Sequence, residues 1–220
     1  MAAPAGRAEY FARWSRLHGG YDPASSRLVG GWLAVVYVLA RPFASLGVPP
    51  DALTAVGPLV AGGAAGAAAA GGAWLWLAVV LVVVSGVLDN LDGAVAVMTD
   101  RVSAWGHVLD SALDRVSDLL YLVALWAVGA AGTVAAAAGA VMVLLEYVRA
   151  RAAAAGMAEV GVVTVFERPT RVIVTAMFLL GAAVYPAHAA AWAAAGTWAW
   201  LVLGVVGLAQ LLPVVRRRLR

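Results

Sequence analysis

Three long stretches without a charged side chain constrain the fold of this chain more than any other feature. No Asp, Glu, Lys or Arg occurs in residues 52–88, 119–145 or 172–215. A helix needs about 20 mostly apolar residues to cross a bilayer. With 64% hydrophobic and 12% charged residues, the chain is also too apolar for an ordinary soluble domain and too apolar for a disordered protein. The sequence therefore predicts membrane spans.

Glycine and proline positions divide these stretches into separate helices. Breaks are expected at Gly71–Gly72, at Gly129–Gly132 and around Pro186. The fold class that follows is an all-α integral membrane protein with six transmembrane helices and an N-terminal interfacial amphipathic helix. The six spans are predicted at about residues 52–71, 73–97, 104–130, 133–155, 169–186 and 190–214.

Two segments precede the first predicted span. Residues 4–18 mix arginines with aromatic side chains, which is typical of a helix on the membrane surface. Residues 27–47 are apolar, but Arg41–Pro42 is expected to break them, and a helix in the interface is favoured over a seventh span. The expected domains are interfacial helices at 1–47, a six-helix membrane domain at 48–215 and a basic tail at 216–220.

The arginines orient the predicted spans. Cytoplasmic segments of membrane proteins carry an excess of basic residues. With six spans, the N-terminal segment, the 98–103 loop, the 149–171 connection and the tail fall on one side, and the three opposite connections carry no arginine. The sequence predicts a cell-membrane protein with both termini on the cytoplasmic face.

Four aspartates lie at or near the ends of two neighbouring predicted spans. A charge inside a span costs about 2.5–3.5 kcal/mol on insertion scales, so a chance cluster is improbable. Spacings of three and four residues place each pair on one helix face, and the short loop between the helices makes them antiparallel neighbours. We therefore expect the four carboxylates to converge. They are Asp89, Asp92, Asp110 and Asp114.

Converging carboxylates repel one another unless a cation lies between them. Oxygen ligands favour Mg²⁺ or Mn²⁺, and four carboxylates can hold two such ions. A two-metal site suits displacement at phosphate esters. The alternative is a set of helix caps and ion pairs, with Arg101 and Arg115 as partners. Asp118 continues the row but is expected to pair with Arg115, outside the site.

The aspartates and the small residues between them carry a resemblance to a known family. Asp89-x2-Asp92-Gly93-x2-Ala96-Val97-x8-Gly106-x3-Asp110-x3-Asp114 resembles the signature D-x2-D-G-x2-A-R-x8-G-x3-D-x3-D of the CDP-alcohol phosphatidyltransferase family. The stretch 47–54 also resembles the entry to that family's first membrane helix. The signature's arginine is Val97 here, and Arg101 could take its place.

The resemblance implies a reaction and a set of site residues. In the family, a CDP-linked lipid such as CDP-diacylglycerol donates its phosphatidyl group to a small alcohol, and CMP leaves. It implies that Asp89, Asp92 and Asp110 bind two divalent ions, and that Asp114 touches the metal site and takes the acceptor's proton. It also implies a homodimer among membrane lipids, without nucleic acid, and a CDP groove lined by Gly93, Ala96 and Gly106.

Four arginines form a second candidate group, where one predicted span ends and the next begins. Guanidinium groups suit phosphate recognition. The arrangement resembles family members that make phosphatidylinositol phosphate and, less closely, phosphatidylglycerophosphate, so it implies an acceptor such as inositol phosphate or glycerol phosphate. Glu146 departs from the small polar residue there, and the positive-inside rule alone is the alternative. The arginines are Arg149, Arg151, Arg168 and Arg171.

Two other functions compete with a phosphatidyltransferase. A membrane prenyltransferase also uses aspartates and Mg²⁺, but it needs two separate aspartate-rich loops and more spans. A divalent-cation transporter should hold its carboxylates near the bilayer midplane between repeats. Here the motif aspartates fall within 89–114, toward the cytoplasmic helix ends, and no internal repeat is evident. The sequence favours the transferase.

Overall fold

A computed structural model describes residues 4–157 and 163–220. Within these ranges the chain is helical and contains no β-strand. Short 3₁₀ turns at 23–25 and 186–188 accompany eight α-helices in the described residues. The helices are α1 (Arg7–Leu17), α2 (Arg27–Ser45), α3 (Pro50–Ala70), α4 (Trp74–Thr99), α5 (Ala104–Val128), α6 (Gly132–Ala154), α7 (Arg168–Val184) and α8 (Ala189–Arg218).

The six predicted spans correspond to α3 through α8, and each boundary agrees to within about one helical turn. Glycines with positive φ, Gly71 and Gly129, end α3 and lie just after α5, as the glycine pattern predicted. Part of the predicted 149–171 connection, residues 158–162, lies outside the described residues.

Five helices in the described residues are long and apolar enough to cross a membrane. They are α2, α3, α4, α6 and α8, the last with the turn before it. Helix α7 has only 17 residues. Helix α5 carries four charged side chains in its first 15 residues. Length and composition therefore establish a multi-pass membrane protein without fixing the count of six spans.

Helix α2 corrects one prediction. Arg41–Pro42 was expected to break the helix, but α2 runs unbroken through Pro42 to Ser45. A proline removes one backbone hydrogen bond and crowds the carbonyl of the turn before it, yet α2 continues for three residues beyond Pro42. The Ser45 hydroxyl and the Leu46 N–H both bond the Pro42 carbonyl, and the chain turns at Gly47 with φ of 72°.

By its contacts the chain divides into two compact units, Met1–Pro58 with Gly86–Asp114, and Leu59–Ser85 with Arg115–Arg220. In the first unit, α1 packs through Tyr10, whose ring contacts Tyr37 and whose burial raises its pKa to about 12. The Ala5 N–H bonds the Met98 carbonyl and Arg13 bonds the Val97 carbonyl. These contacts fix α1 beside the end of α4.

The second unit has a core of large buried side chains. Trp200 is fully buried and donates its indole N–H to Thr175 at 3.0 Å. Small residues let α7 and α8 approach closely, since a methyl group on Gly196 would lie 2.7 Å from Phe178. Other large buried residues of this core are Val82, Tyr121, Leu125, Met142, Leu145, Phe166, Leu179 and Leu211.

Candidate active site

Three of the four motif aspartates come together in the first unit. Asp89 lies on α4, and Asp110 and Asp114 lie on α5. Each offers one carboxylate oxygen, and these three oxygens all lie within 4.8 Å of one another. Ligand oxygens of one hard divalent cation are separated by similar distances, because each lies about 2.0–2.6 Å from the ion. The spacing therefore fits a divalent cation.

Asp92 adds a buried carboxylate on α4. Its residue is only 4% exposed, and Oδ1 accepts a hydrogen bond from the Gly93 N–H at 2.6 Å. Oδ2 is buried and receives no hydrogen bond of standard geometry from the described residues, although Thr54 lies beside the carboxylate. A buried carboxylate oxygen needs a donor or a cation. This oxygen and the three-carboxylate cluster both fit a bound divalent metal.

The three small residues predicted to line a CDP groove do line one cavity. It has a volume of about 270 Å³ and includes Gly93, Ala96, Gly106, Asp92 and Asp110 in its wall. A methyl group added at Gly93 would meet no other side chain or distant backbone within 4 Å. Packing within the protein therefore does not require glycine at position 93. A methyl group there would instead take up space in the cavity.

Sequence reasoning missed part of this wall. The end of α1 contributes His18, whose ring stacks on Trp14 at 3.8 Å and bonds its carbonyl through Nδ1 at 2.8 Å. Nothing in the spacing of residues 4–18 indicated this position. Asp51 and Thr54 also line the cavity. Both lie in the 47–54 stretch, whose resemblance to the family predicts a helix entry and not a cavity wall.

The departure at Val97 becomes clearer in the structure. Val97 lines the same cavity, and so does Arg101, the residue expected to take the place of the signature's arginine. The Val97 carbonyl accepts a hydrogen bond from Arg13 at 3.1 Å. Two arginines that are not signature positions therefore lie at this end of α4, Arg13 from α1 and Arg101 from the spacer between Val97 and Gly106.

The second unit brings arginines and carboxylates together in what we call the guanidinium cluster. Arg149 holds Glu167 through two hydrogen bonds of 2.9 and 2.7 Å. Arg171 lies 3.3 Å from Asp118 and 3.1 Å from Glu146. The cluster consists of Arg115, Arg149, Arg171, Asp118, Glu146 and Glu167, and these six side chains carry three positive and three negative charges.

The charged form of Glu167 is stabilised by its hydrogen-bond donors. Burial alone would raise the pKa of Glu167, but hydrogen bonds from Arg149 and from Thr164 outweigh it and hold this pKa below its usual range. The Thr164 N–H and hydroxyl contact Glu167 Oε1 at 2.8 and 2.9 Å. This carboxylate therefore fixes the chain just before α7.

Two of the four predicted arginines thus reach one shared carboxylate. Arg171 and Arg149 both approach Glu146, and Arg149 does so at 4.0 Å. Arg151 is exposed, and Arg168 begins α7 half-buried. The predicted pair of Arg115 with Asp118 is confirmed at 3.5 Å. Sequence reasoning missed the roles of Glu146 and Glu167 as counter-ions, which their acidic character alone could have signalled.

Comparison with known proteins decides the family. The sequence profile described as CDP-alcohol phosphatidyltransferase matches residues 48–206. The chain belongs to this family. It is a multi-pass membrane protein of a transferase family that serves phospholipid biosynthesis. The match argues against the competing hypotheses of a prenyltransferase and a transporter. Members of the family use a divalent metal.

Curated relatives within the family make inositol phospholipids. The chain is 39% identical to the archaetidylinositol phosphate synthase of Aeropyrum pernix over 39% of this chain and 46% of that protein. It is 36% identical to the archaetidylinositol phosphate synthase of Methanothermobacter thermautotrophicus, over 64% of this chain and 71% of that protein. It is 35% identical to the phosphatidylinositol phosphate synthase of Cutibacterium acnes, over 63% and 70%. The chain thus spans less than half of the first relative.

Solved structures of one bacterial enzyme have the same fold. Phosphatidylinositol phosphate synthase of Mycobacterium tuberculosis with CDP-DAG bound aligns with a TM-score of 0.64 and 26% identity, over 83% of this chain and 94% of that one. A second structure of that enzyme, in complex with manganese and citrate, aligns with 25% identity over 82% of this chain and 88% of that one.

Proposed function

We propose that this enzyme transfers the phosphatidyl group of CDP-diacylglycerol to inositol phosphate. The observation that carries the proposal is that the curated relatives and the M. tuberculosis structures share an inositol phosphate product name. The guanidinium cluster supports it, because guanidinium groups bind phosphate through paired hydrogen bonds. Glycerol phosphate is the second phosphorylated acceptor to be tested.

The aspartates are proposed to hold two divalent ions, Mg²⁺ or Mn²⁺. Asp89, Asp110 and Asp114 would share one position, and the buried Oδ2 of Asp92 would supply a further ligand. When bound, such ions neutralise charge on the diphosphate of the donor. The manganese in the M. tuberculosis structure supports this assignment.

Asp114 is proposed to act also as the general base. Its carboxylate would accept the proton of the acceptor hydroxyl, and the hydroxyl oxygen would attack the phosphorus that bears the lipid. The new O–P bond forms as the P–O bond to CMP breaks, and CMP leaves with the bridging oxygen. A positioned base of this kind contributes about 10²–10⁴-fold to a rate.

The remaining predicted residues bind substrates in this proposal. Gly93, Ala96 and Gly106 would leave room for the CDP moiety in the 270 Å³ cavity. The acceptor's phosphate would meet guanidinium groups, whose forked donors match its oxygens. These are drawn from Arg149, Arg151, Arg168 and Arg171.

The membrane arrangement is proposed from the arginine distribution. Six spans, α3 to α8, would cross the cell membrane with the active site and both termini on the cytoplasmic face, and α1 and α2 would lie in the interface. The domain limits 1–47, 48–215 and 216–220 and a homodimeric state complete the proposal. A reporter fused after Arg220 tests the topology, and an external location would contradict it.

The function is tested by the release of CMP from CDP-diacylglycerol with a panel of acceptors. The panel contains inositol phosphate, glycerol phosphate, inositol and glycerol, with the corresponding archaetidyl donor as a separate arm. We expect CMP release and a phosphorylated lipid product with inositol phosphate only. Equal or faster release with unphosphorylated inositol or with glycerol phosphate would overturn the proposed acceptor.

A further inference from the structure

One carboxylate of the guanidinium cluster, that of Glu146, contacts three arginines. Glu146 Oε1 lies 2.9 Å from Arg115 and 3.1 Å from Arg171, and Oε2 lies 4.0 Å from Arg149. Three guanidinium groups from three helices thus converge on one anionic side chain. Arg171 and Arg149 also pair with Asp118 and Glu167, so Glu146 is the third anion that brings the charge of the cluster to zero. A phosphate, with its several oxygens, can accept hydrogen bonds from the same guanidinium groups.

The cluster has a buried part and an accessible part. Arg171 and Asp118 have 1% and 0% of their side chains exposed, so they form a fixed internal pair. Glu146 is 18% exposed, Arg115 23% and Arg149 33%. An anion arriving from solvent would therefore reach Arg115 and Arg149 where Glu146 already lies.

The other two acidic members differ from Glu146, since Glu167 accepts a hydrogen bond from a backbone N–H and Asp118 is completely buried. Glu167 makes two hydrogen bonds to Arg149 and two to Thr164. Asp118 is buried between Arg115 and Arg171. Glu146 is held by guanidinium groups, through a hydrogen bond from Arg171 at 3.1 Å and a 2.9 Å contact with Arg115, and its side chain is 18% exposed. Its exposure and its bonding to side chains of the cluster make it the member that an arriving anion can displace.

We propose that Glu146 is an internal anion that occupies the acceptor-phosphate site and is displaced when the acceptor binds. The side chain keeps the cluster neutral in the empty enzyme, and its displacement weakens binding of every phosphorylated acceptor. Glu146 therefore sets the affinity for the acceptor and leaves the affinity for the CDP-linked donor unchanged. This inference rests on the proposed acceptor-phosphate role of the arginines.

The test compares Glu146→Gln with the wild type in detergent, using inorganic phosphate as the probe. We expect phosphate to raise the thermal unfolding midpoint at about five- to tenfold lower concentration in the variant, because the competing charge is gone. Inositol phosphate should show the same fold decrease in KM, with the KM for CDP-diacylglycerol unchanged. An unchanged or weaker phosphate effect in the folded variant would overturn the proposal.

Two variants serve as controls. Glu9→Gln removes the same charge from an exposed pair with Arg13 on α1, and should leave phosphate binding as in wild type. Glu167→Gln removes a firmly bonded carboxylate of the cluster, and should destabilise the protein without tightening phosphate binding. Equal tightening in either control would show a general charge effect and refute a specific role for Glu146.

A poorly folded Glu146→Gln protein would still test the proposal, because three arginines would then lack their shared anion. Phosphate at 10–100 mM, roughly the range for a weak anion site, should restore its folding if the ion replaces the carboxylate. Failure of phosphate to restore folding would count against the proposal. If wild type uses no phosphorylated acceptor while phosphate binding still tightens in the variant, the acceptor assignment fails and the anion site stands.

Discussion

The aspartate site and the guanidinium cluster handle charge in opposite ways. On α4 and α5, like charges are gathered: Asp89, Asp110 and Asp114 present oxygens within 4.8 Å of one another. In the second unit, opposite charges alternate, so that Arg149 and Arg171 each lie beside two carboxylates. Gathered like charges call for a ligand of opposite sign, whereas alternating charges can stand without one.

Because of this difference, we expect the two regions to bind their ligands with different affinity. The aspartate site should bind its cation tightly, because the gathered carboxylates repel one another until a cation neutralises them. The guanidinium cluster should bind an anion weakly, because Glu146 must first release its partners. The predictions below test this contrast, beginning with the largest expected effect.

Removal of divalent metal should abolish activity. With excess EDTA, CMP release from CDP-diacylglycerol is expected to fall below detection, because the donor's diphosphate and the aspartates then repel one another. Added Mn²⁺ or Mg²⁺ should restore it. Full turnover in EDTA would remove the metal from the account and leave the aspartates as caps and ion pairs.

Asparagine substitutions distinguish an aspartate that acts as general base from one that only binds metal. Asp114→Asn should lower turnover by about 10²–10⁴-fold with donor binding largely retained, because the acceptor hydroxyl loses its proton acceptor. Asp89→Asn should weaken metal and donor binding together. Turnover and donor affinity measured across a Mn²⁺ titration decide between them. Restoration of Asp114→Asn to near wild-type turnover by high Mn²⁺ would refute the base assignment.

Glu167 tests whether the second region is held by its own charges. Replacement by Gln should lower the free energy of unfolding by about 1–3 kcal/mol at pH 7, since the hydrogen bonds to Arg149 lose their anionic acceptor. The pKa of Glu167 is held below its ordinary 4.5, so this contribution is complete above that pH. It is lost as pH falls through the lowered value.

The pH dependence checks the sign of that effect. Thermal unfolding midpoints of wild type and Glu167→Gln should differ by a constant amount above pH 5 or so and converge on acidification below the ordinary carboxyl range. A difference that widens toward low pH would show that Glu167 is stabilised in its protonated form, against the observed hydrogen bonds.

Gly93 gives the smallest expected effect. Ala at this position should leave stability unchanged or raise it by up to about 1 kcal/mol, because the helix gains a better helix former and nothing lies within 4 Å of the new methyl group. It should raise the KM for CDP-diacylglycerol by about three- to tenfold, because the methyl group enters the cavity. Loss of stability with unchanged KM would assign Gly93 to helix packing.

Much of this architecture could be predicted from the sequence because its signals are local. Charge-free stretches and glycine positions located α3 to α8. The spacings and the short loop between α4 and α5 predicted that four aspartates converge, and three of them, Asp89, Asp110 and Asp114, form the close group. The continuation of α2 through Pro42 was not predicted, because the local cost of a proline taken alone favours a break there.

The parts that could not be predicted depend on distant residues. His18 reaches the cavity wall because α1 is fixed by Arg13 and Ala5 to carbonyls at the end of α4. Glu167 meets Arg149 across 18 residues of sequence. Neither contact has a periodic pattern in the sequence, and the pairing of Glu146 with three arginines appears only when three helices are assembled.

The contrast between the two regions is tested most directly by titrating Mn²⁺ into the purified protein and following the free ion by electron paramagnetic resonance. Wild type is expected to bind Mn²⁺, Asp89→Asn and Asp110→Asn to lose at least about tenfold in affinity, and Glu146→Gln to bind as wild type does. Binding that survives both aspartate substitutions, or that disappears with Glu146→Gln, would contradict the assignment of the metal to the aspartates of α4 and α5.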